Sequence, residues 1–278
     1  METINEVFMS DNISQILNYV KELRAVDFTV YRQTTIGRRL ETRLMRTGIP
    51  DYASYLEYLK GNPGEFDALM DALTIKVSHF FRNPFVFEAL SLFVLPEIME
   101  NNREDVIRIW SAGCAKGEEA YSAAILIKEL ISKEVLRQEA LILGTDIDRG
   151  ALEDARNAVY KPESLLEVKK GLLDRYFAVE NAFYRLNEEI KTMVAFVCHD
   201  ISTLTAPKEG IFMDYHLILC RNVLIYFDRN LCTKVLEYLS NMLQKGGFLI
   251  LGEAESLLSG AADRFQEVIP KSKVFKRI

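Results

Sequence analysis

The stretch IRIWSAGCAKGEEAYS, residues 107–122, decides the fold. A short apolar run ends at Gly113 and Gly117, and a helical pattern begins near Glu118. Strand, glycine turn and helix in that order form the opening unit of an open parallel sheet. Glycine lets backbone approach a ligand closely, and the first N–H groups of a helix have no partner within it. The middle glycine of a G-x-G-x-G pattern is Ala115 here, so the turn alone also fits an ordinary strand-to-helix connection.

Working outward, similar apolar runs recur at residues 106–110, 141–144, 194–197, 216–220 and 248–251, separated by amphipathic stretches. Runs of this length between helices predict central strands of a parallel sheet with crossover helices. The chain closes differently: residues 265–269 and 274–278 flank Pro270-Lys271-Ser272-Lys273 and predict a hairpin. A mostly parallel sheet ending in one antiparallel hairpin is the seven-stranded, Rossmann-like topology of class I methyltransferases, although nicotinamide-binding folds share most of it. Residues 161–191 leave this rhythm. They predict a small inserted subdomain, with a short strand at Phe183–Leu186 beside a loop at 179–182. Ahead of the sheet, apolar residues at helical spacing (Tyr52, Tyr55, Leu56, Leu59) predict an all-helical N-terminal domain. The expected division is 1–90 for that domain and its linker and 91–278 for the sheet domain, with the boundary falling within residues 88–102.

The net charge of −6 argues against nucleic acid as a partner, because phosphate binding needs a basic face. One segment departs from this balance: Arg32, Arg38, Arg39, Arg43 and Arg46 share their stretch with a single acid, Glu41. The cysteines Cys114, Cys198, Cys220 and Cys232 are scattered without metal spacing, which suggests neither a disulfide framework nor a zinc site. No apolar run is long enough for a membrane helix, and METINEVFMSDN lacks the order of a signal peptide. A cytoplasmic protein without membrane insertion is expected.

The second strand ends in GTDID, residues 144–148, which puts an acid beside the glycine turn. Carboxylates there accept hydrogen bonds from ribose hydroxyls. Asp146 is assigned that role, and Asp148 the cap of the following helix. Glu118 and Asp146 together suit a cationic ligand better than a pyrophosphate, which favours S-adenosylmethionine over a dinucleotide. Asp200 and Asn222, after the third and fourth strands, are placed to line the crevice or to make local backbone bonds.

The strings SHFFRN (78–83), SAGCAKGEEAYS (111–122), GTDID (144–148) and CRNVLIYF (220–227) together resemble the chemotaxis receptor methyltransferase (CheR) family, in its order and over nearly the whole chain. The resemblance implies that Ser78 and Arg82 cover S-adenosylmethionine from the amino-terminal side, with Arg82 also holding the substrate carboxylate. It implies that Gly113 forms the cofactor turn, Glu118 binds the amino group and Asp146 the ribose. Asp200 and Ile201 match the adenine-side pair, Arg221 and Asn222 the pair after the fourth strand, and Tyr226 a tyrosine near the transferred methyl. Lys76 matches a cofactor-side position where the family usually has asparagine, and a lysine there would repel the sulfonium or meet an acidic substrate.

The implied activity is methyl transfer to glutamate side chains of methyl-accepting chemotaxis receptors, with S-adenosylhomocysteine as product. An ionised glutamate requires no general base, only in-line placement. Arg38, Arg39, Arg43 and Arg46 would dock the acidic receptor helix; a solvated helix face is the plainer reading. Some family members tether a receptor C-terminal peptide through a glycine-containing loop in the inserted subdomain. The matching residues 177–183 contain no glycine, so tether-independent action is expected. His79, His199 and His216 pair with no nucleophile and are read as structural or surface groups. The alternatives are a methyltransferase for another protein substrate or a small acid, a non-catalytic S-adenosylmethionine-binding adaptor, and, least favoured, a dehydrogenase.

Overall fold

A computed structural model describes residues 4–24, 26–74, 78–103, 106–134, 139–207, 214–258 and 260–278. The chain divides into two compact units: Met1–Ile75 joined by Tyr226–Leu231, and Lys76–Ile225 joined by Cys232–Ile278. The division expected at residue 90 therefore moves to residue 75. Within the segment assigned to the first domain and its linker, Val86, Phe87 and Leu90 join the core of the second unit, together with Val94 and Leu95 that follow.

The first unit contains α1 (Ile4–Arg24), α2 (Gln33–Thr47), α3 (Tyr52–Gly61) and α4 (Pro63–Leu73). Local chemistry sets their ends. Gly48 closes α2 at φ 71°, donating to the carbonyl of Leu44. Asp51 accepts from the N–H of Ser54 at the start of α3, and Pro63 occupies the first turn of α4. Ile16, Leu17, Val20, Ile36, Leu40, Tyr55, Leu59 and Leu69 are buried. The distant segment 226–231 belongs to this unit: Tyr31 bridges to Phe227 in antiparallel fashion, with their rings 5.0 Å apart edge to face. Arg32 donates its N–H to the carbonyl of Tyr226 at 2.8 Å and its Nε to that of Phe227 at 3.0 Å.

In the second unit, α5 (Pro84–Ala89) runs through a π-helical turn, Leu90–Val94, into α6 (Leu95–Asn101). There follow β1 (Ile107–Ala112), α7 (Glu118–Glu134), β2 (Ala140–Asp146), α8 (Arg149–Asn157) and β3 (Val159–Tyr160). Next come α9 (Lys170–Tyr176), β4 (Phe177–Glu180), β5 (Phe183–Leu186), α10 (Glu188–Lys191), β6 (Val194–Cys198) and β7 (Tyr215–Cys220). The chain ends through α11 (Arg229–Met242), β8 (Leu243–Leu251), β9 (Phe265–Glu267) and β10 (Val274–Arg277).

The main sheet has seven strands in the order β6-β2-β1-β7-β8-β10-β9, with β10 antiparallel to both neighbours. Side chains alternate between its faces. Ile107 and Ile109 of β1 join Tyr121, Ala124 and Ile125 of α7 in one core, while Trp110 contacts the ring of Tyr238 on α11. Both faces are thus covered, as central parallel strands require. The strand order reverses at β1, where an α/β sheet opens its ligand crevice.

The inserted subdomain is a three-stranded antiparallel sheet, β3-β5-β4, that starts at Val159, ahead of the expected residue 161. Residues 179–182 are not a loop: Val179 and Glu180 pair with Tyr184 and Phe183, leaving only Asn181 and Ala182 as the turn. Their φ angles of 48° and 68° fit a two-residue hairpin turn with both residues left-handed.

Candidate active site

The strand registers bring the chemistry to one edge. Ala112 pairs with Thr145, and Asp146 with Cys198; Cys220 ends β7 on the other side of β1. Gly113, Asp146, Asp200 and Asn222 therefore leave the sheet at the same end.

The glycine turn is held from below. The N–H groups of Gly113 and Cys114 donate to the carbonyl of Thr145 at 2.8 and 2.9 Å. Gly113 and Gly117 have φ of 74° and 86°, and a Cβ on Gly113 would lie 2.3 Å from Cγ2 of Val223, so only glycine fits. Ala115 adopts φ 49° without that freedom. Its N–H donates to Oδ2 of Asp146 at 2.8 Å, which holds the turn in place of the missing glycine's flexibility. Oδ1 of Asp146 accepts the N–H of Asp148 at 2.9 Å, and Asp148 caps α8 through the N–H of Ala151. Burial raises the pKa of Asp146.

Glu118 is the most unusual group at this edge. It is 1 % exposed, and burial pushes its pKa up to about 7 against the hydrogen bond it receives from Ser78. Its Oε2 has no hydrogen-bond partner. Asp200 repeats the pattern: Oδ1 accepts the N–H of Ser202 at 2.9 Å, while the buried Oδ2 is unpaired. Two buried acceptors without donors fit a ligand that brings an ammonium and further N–H groups, and S-adenosylmethionine carries both in its amino-acid and adenine parts. Ile201 is buried beside Asp200 in the chain.

Beneath these groups lies a polar strut absent from the sequence expectations. Ser111 donates to Glu119 at 2.8 Å, and Arg221 pairs with Glu119 at 3.2 Å and donates to the carbonyl of Arg82 at 2.8 Å. Arg221, grouped by sequence with the cofactor contacts, spends its Nη1 and Nη2 atoms on this strut, its side chain only 3 % exposed. Burial raises the pKa of Glu119, and the charge of Arg221 opposes that rise. Arg82 sits between Phe81 and Asn83, both at positive φ (55° and 67°). An aromatic residue in that region is a rare conformation. It is fixed by the N–H of Phe81 donating to Ser122 Oγ at 2.9 Å, with Phe80 donating to the carbonyl of Ser164. No sequence period marks Ser111, Glu119 or Ser122; lying within the quoted glycine stretch was their only signal.

The remaining expectations separate. Lys76 lies outside the described residues. Tyr226 ends a single 3-10 turn, Leu224–Tyr226, and is grouped with the helical unit. Among the arginines of α2, Arg43 makes a bidentate pair with Glu65 (2.9 and 2.6 Å), which also accepts from Tyr55. Arg39 donates to the carbonyls of Ala72 and Leu73 at the end of α4. Both are therefore committed inside the unit, because a nearly buried Glu65 and a bare helix end each demand a donor. Arg38 and Arg46 remain exposed. His79 faces Glu167 at 3.1 Å. Burial lowers the pKa of His199, and buried His216 accepts the N–H of Arg108 on Nδ1.

Sheet order, antiparallel β10 and the acidic crevice define a class I S-adenosylmethionine-dependent methyltransferase. The family model "CheR methyltransferase, SAM binding domain" matches residues 76–274, and "CheR methyltransferase, all-alpha domain" matches 11–74. The chain belongs to the CheR methyltransferase family. It is 28 % identical over 260 residues to the "Chemotaxis protein methyltransferase" of Borreliella burgdorferi, covering 91 % of each chain. It is 31 % identical over 260 residues to the "Putative methyltransferase Cher3" of Pseudomonas putida, covering 90 % of this chain and 91 % of that one. It is also 29 % identical over 258 residues to "Chemotaxis protein methyltransferase 2" of Vibrio cholerae, covering 91 % and 88 %. No described helix is long and apolar enough to cross a membrane.

Proposed function

We propose that this methyltransferase esterifies glutamate side chains on the cytoplasmic helices of methyl-accepting chemotaxis receptors, without a C-terminal peptide tether. The observation that carries the reading is the bracing of Arg82: strained backbone on both sides, Ser122 on the preceding N–H, and Arg221 on its own carbonyl. An arginine whose backbone is fixed this firmly suits holding a substrate carboxylate at one oxygen while the other stays free to attack. The chemistry supplied by bound S-adenosylmethionine is an electrophilic methyl, with S-adenosylhomocysteine as product. Glu118 would hold the ammonium, Asp146 the ribose, Asp200 and Ile201 the adenine side, and Asn222 the far wall. Lys76 would meet the acidic substrate.

Docking falls to Arg38 and Arg46, which flank Thr42 and Met45 on one exposed stripe of α2, Met45 being 81 % exposed. The two-residue turn Asn181-Ala182 supports tether independence, since it offers no glycine loop to a peptide. The test is transfer of labelled methyl to a receptor signalling domain. Base-labile label should disappear when the receptor glutamates become alanine and in R82A, and calorimetry should detect no binding of a receptor C-terminal peptide. Tight cofactor binding with no label would instead support an adaptor or another protein substrate.

A further inference from the structure

Glu255 was not singled out in the sequence, yet it collects more backbone donors than any other side chain described above. It is 4 % exposed, whereas Glu253, two residues earlier, is exposed. Its Oε1 accepts the N–H groups of Val223 (2.8 Å), Leu224 (2.7 Å) and Ile225 (3.3 Å). Its Oε2 accepts those of Asn222 (3.0 Å) and Gly252 (2.6 Å).

We infer that Glu255 is a positioning residue for cofactor binding: its carboxylate holds the loop after β7 in the conformation that presents Asn222 and Val223 to the crevice. The inference rests on the reading that Asn222 faces the cofactor. Asn222 sits at φ 60°, a left-handed turn that aims successive N–H groups toward one point. Left bare, the buried donors of Leu224 and Gly252 would each be costly. A carboxylate is acceptor-only with about four lone-pair sites, so the five N–H groups fill it, with Oε1 shared among three of them. The clamped run also forms a wall of the glycine turn, since Val223 fills the space over Gly113. Its charge reaches the strut as well, adding to the raised pKa of Glu119. The fit is tight from the other side: a Cβ on Gly252 would lie 2.8 Å from both the N of Asn222 and Oε2 of Glu255.

Glutamine at this position keeps the shape but turns one acceptor into a donor facing N–H groups. E255Q in the full chain should weaken S-adenosylhomocysteine binding by roughly tenfold or more in calorimetry, as expected when a charged hydrogen-bond acceptor is lost. It should raise KM for S-adenosylmethionine by a similar factor while kcat at saturation changes little. A merely structural glutamate would lower the melting temperature and leave this split untouched. N222A should weaken binding comparably, and the double variant should be scarcely worse than the weaker single one, because both act through one contact. If N222A weakens binding and E255Q does not, the inference fails alone; if N222A binds as wild type, the reading of Asn222 falls and takes the inference with it. Should E255Q not fold, G252A carries the same test: a similar loss supports the clamp, and unchanged affinity overturns it.

Discussion

Replacing Glu118 by glutamine tests the electrostatics of the cofactor site. The folded protein raises the pKa of Glu118 from 4.5 to about 7, so the native state holds a proton that the unfolded chain has already released across that interval. Stability from this group is therefore fully present below pH 4.5 and is lost as pH rises through 7; a shift of about 2.5 units corresponds to about 3 kcal/mol. The amide introduced by E118Q has no such proton to lose. Relative to wild type, cofactor-free E118Q should gain about 2 to 3 kcal/mol between pH 5 and pH 8, or roughly 5 to 10 °C in melting temperature. Cofactor binding should move the opposite way. Loss of a charged acceptor for the ammonium should weaken S-adenosylhomocysteine by about 1.5 to 3 kcal/mol. Because the ammonium selects the ionised form, wild-type binding at pH 7 should release about half a proton, measurable by calorimetry in buffers of different ionisation enthalpy. Parallel pH–stability curves for the two proteins, or binding that releases no proton, would refute the assignment.

Two other substitutions test local claims. A115G should stabilise the protein by about 0.5 to 1 kcal/mol in urea unfolding, because glycine takes the φ of 49° without the alanine's steric cost, and S-adenosylhomocysteine affinity should persist. R43A should cost about 3 kcal/mol or more by the same assay, because Glu65, with its side chain 8 % exposed, loses its cation, whereas R38A should change stability by less than about 0.5 kcal/mol. Equal effects of R43A and R38A would undo the division between internal and outward arginines.

The strands of the parallel sheet were legible because such strands are dominated by apolar residues: β2, β6, β7 and β8 each contain a continuous apolar run, and in β1 Arg108 alone interrupts Ile107, Ile109 and Trp110. Strand β4 was not: Phe177 is buried while the next three residues are exposed, so it carries no run and no clean alternation. The acidic residues at strand ends could be located by position, but not their partners. Arg43 looks like Arg38 until Glu65, 22 residues on, folds against it. Glu255 was invisible for a deeper reason: its partners are backbone N–H groups, which every residue but proline owns, so no pattern of side chains announces them.

The antiparallel bridge between Tyr31 and Phe227 has a consequence for how the chain acquires its structure during synthesis. Phe227 is made 180 residues after Thr47, the last residue of α2, so the first unit waits for its last piece until the second unit has been translated through β7, with β8, β9 and β10 still to come. At about 5 to 20 residues per second, that delay is tens of seconds at the slow end. The amino-terminal helices are thus made first and completed late, their assembly timed by the arrival of a segment that follows directly on the loop clamped by Glu255.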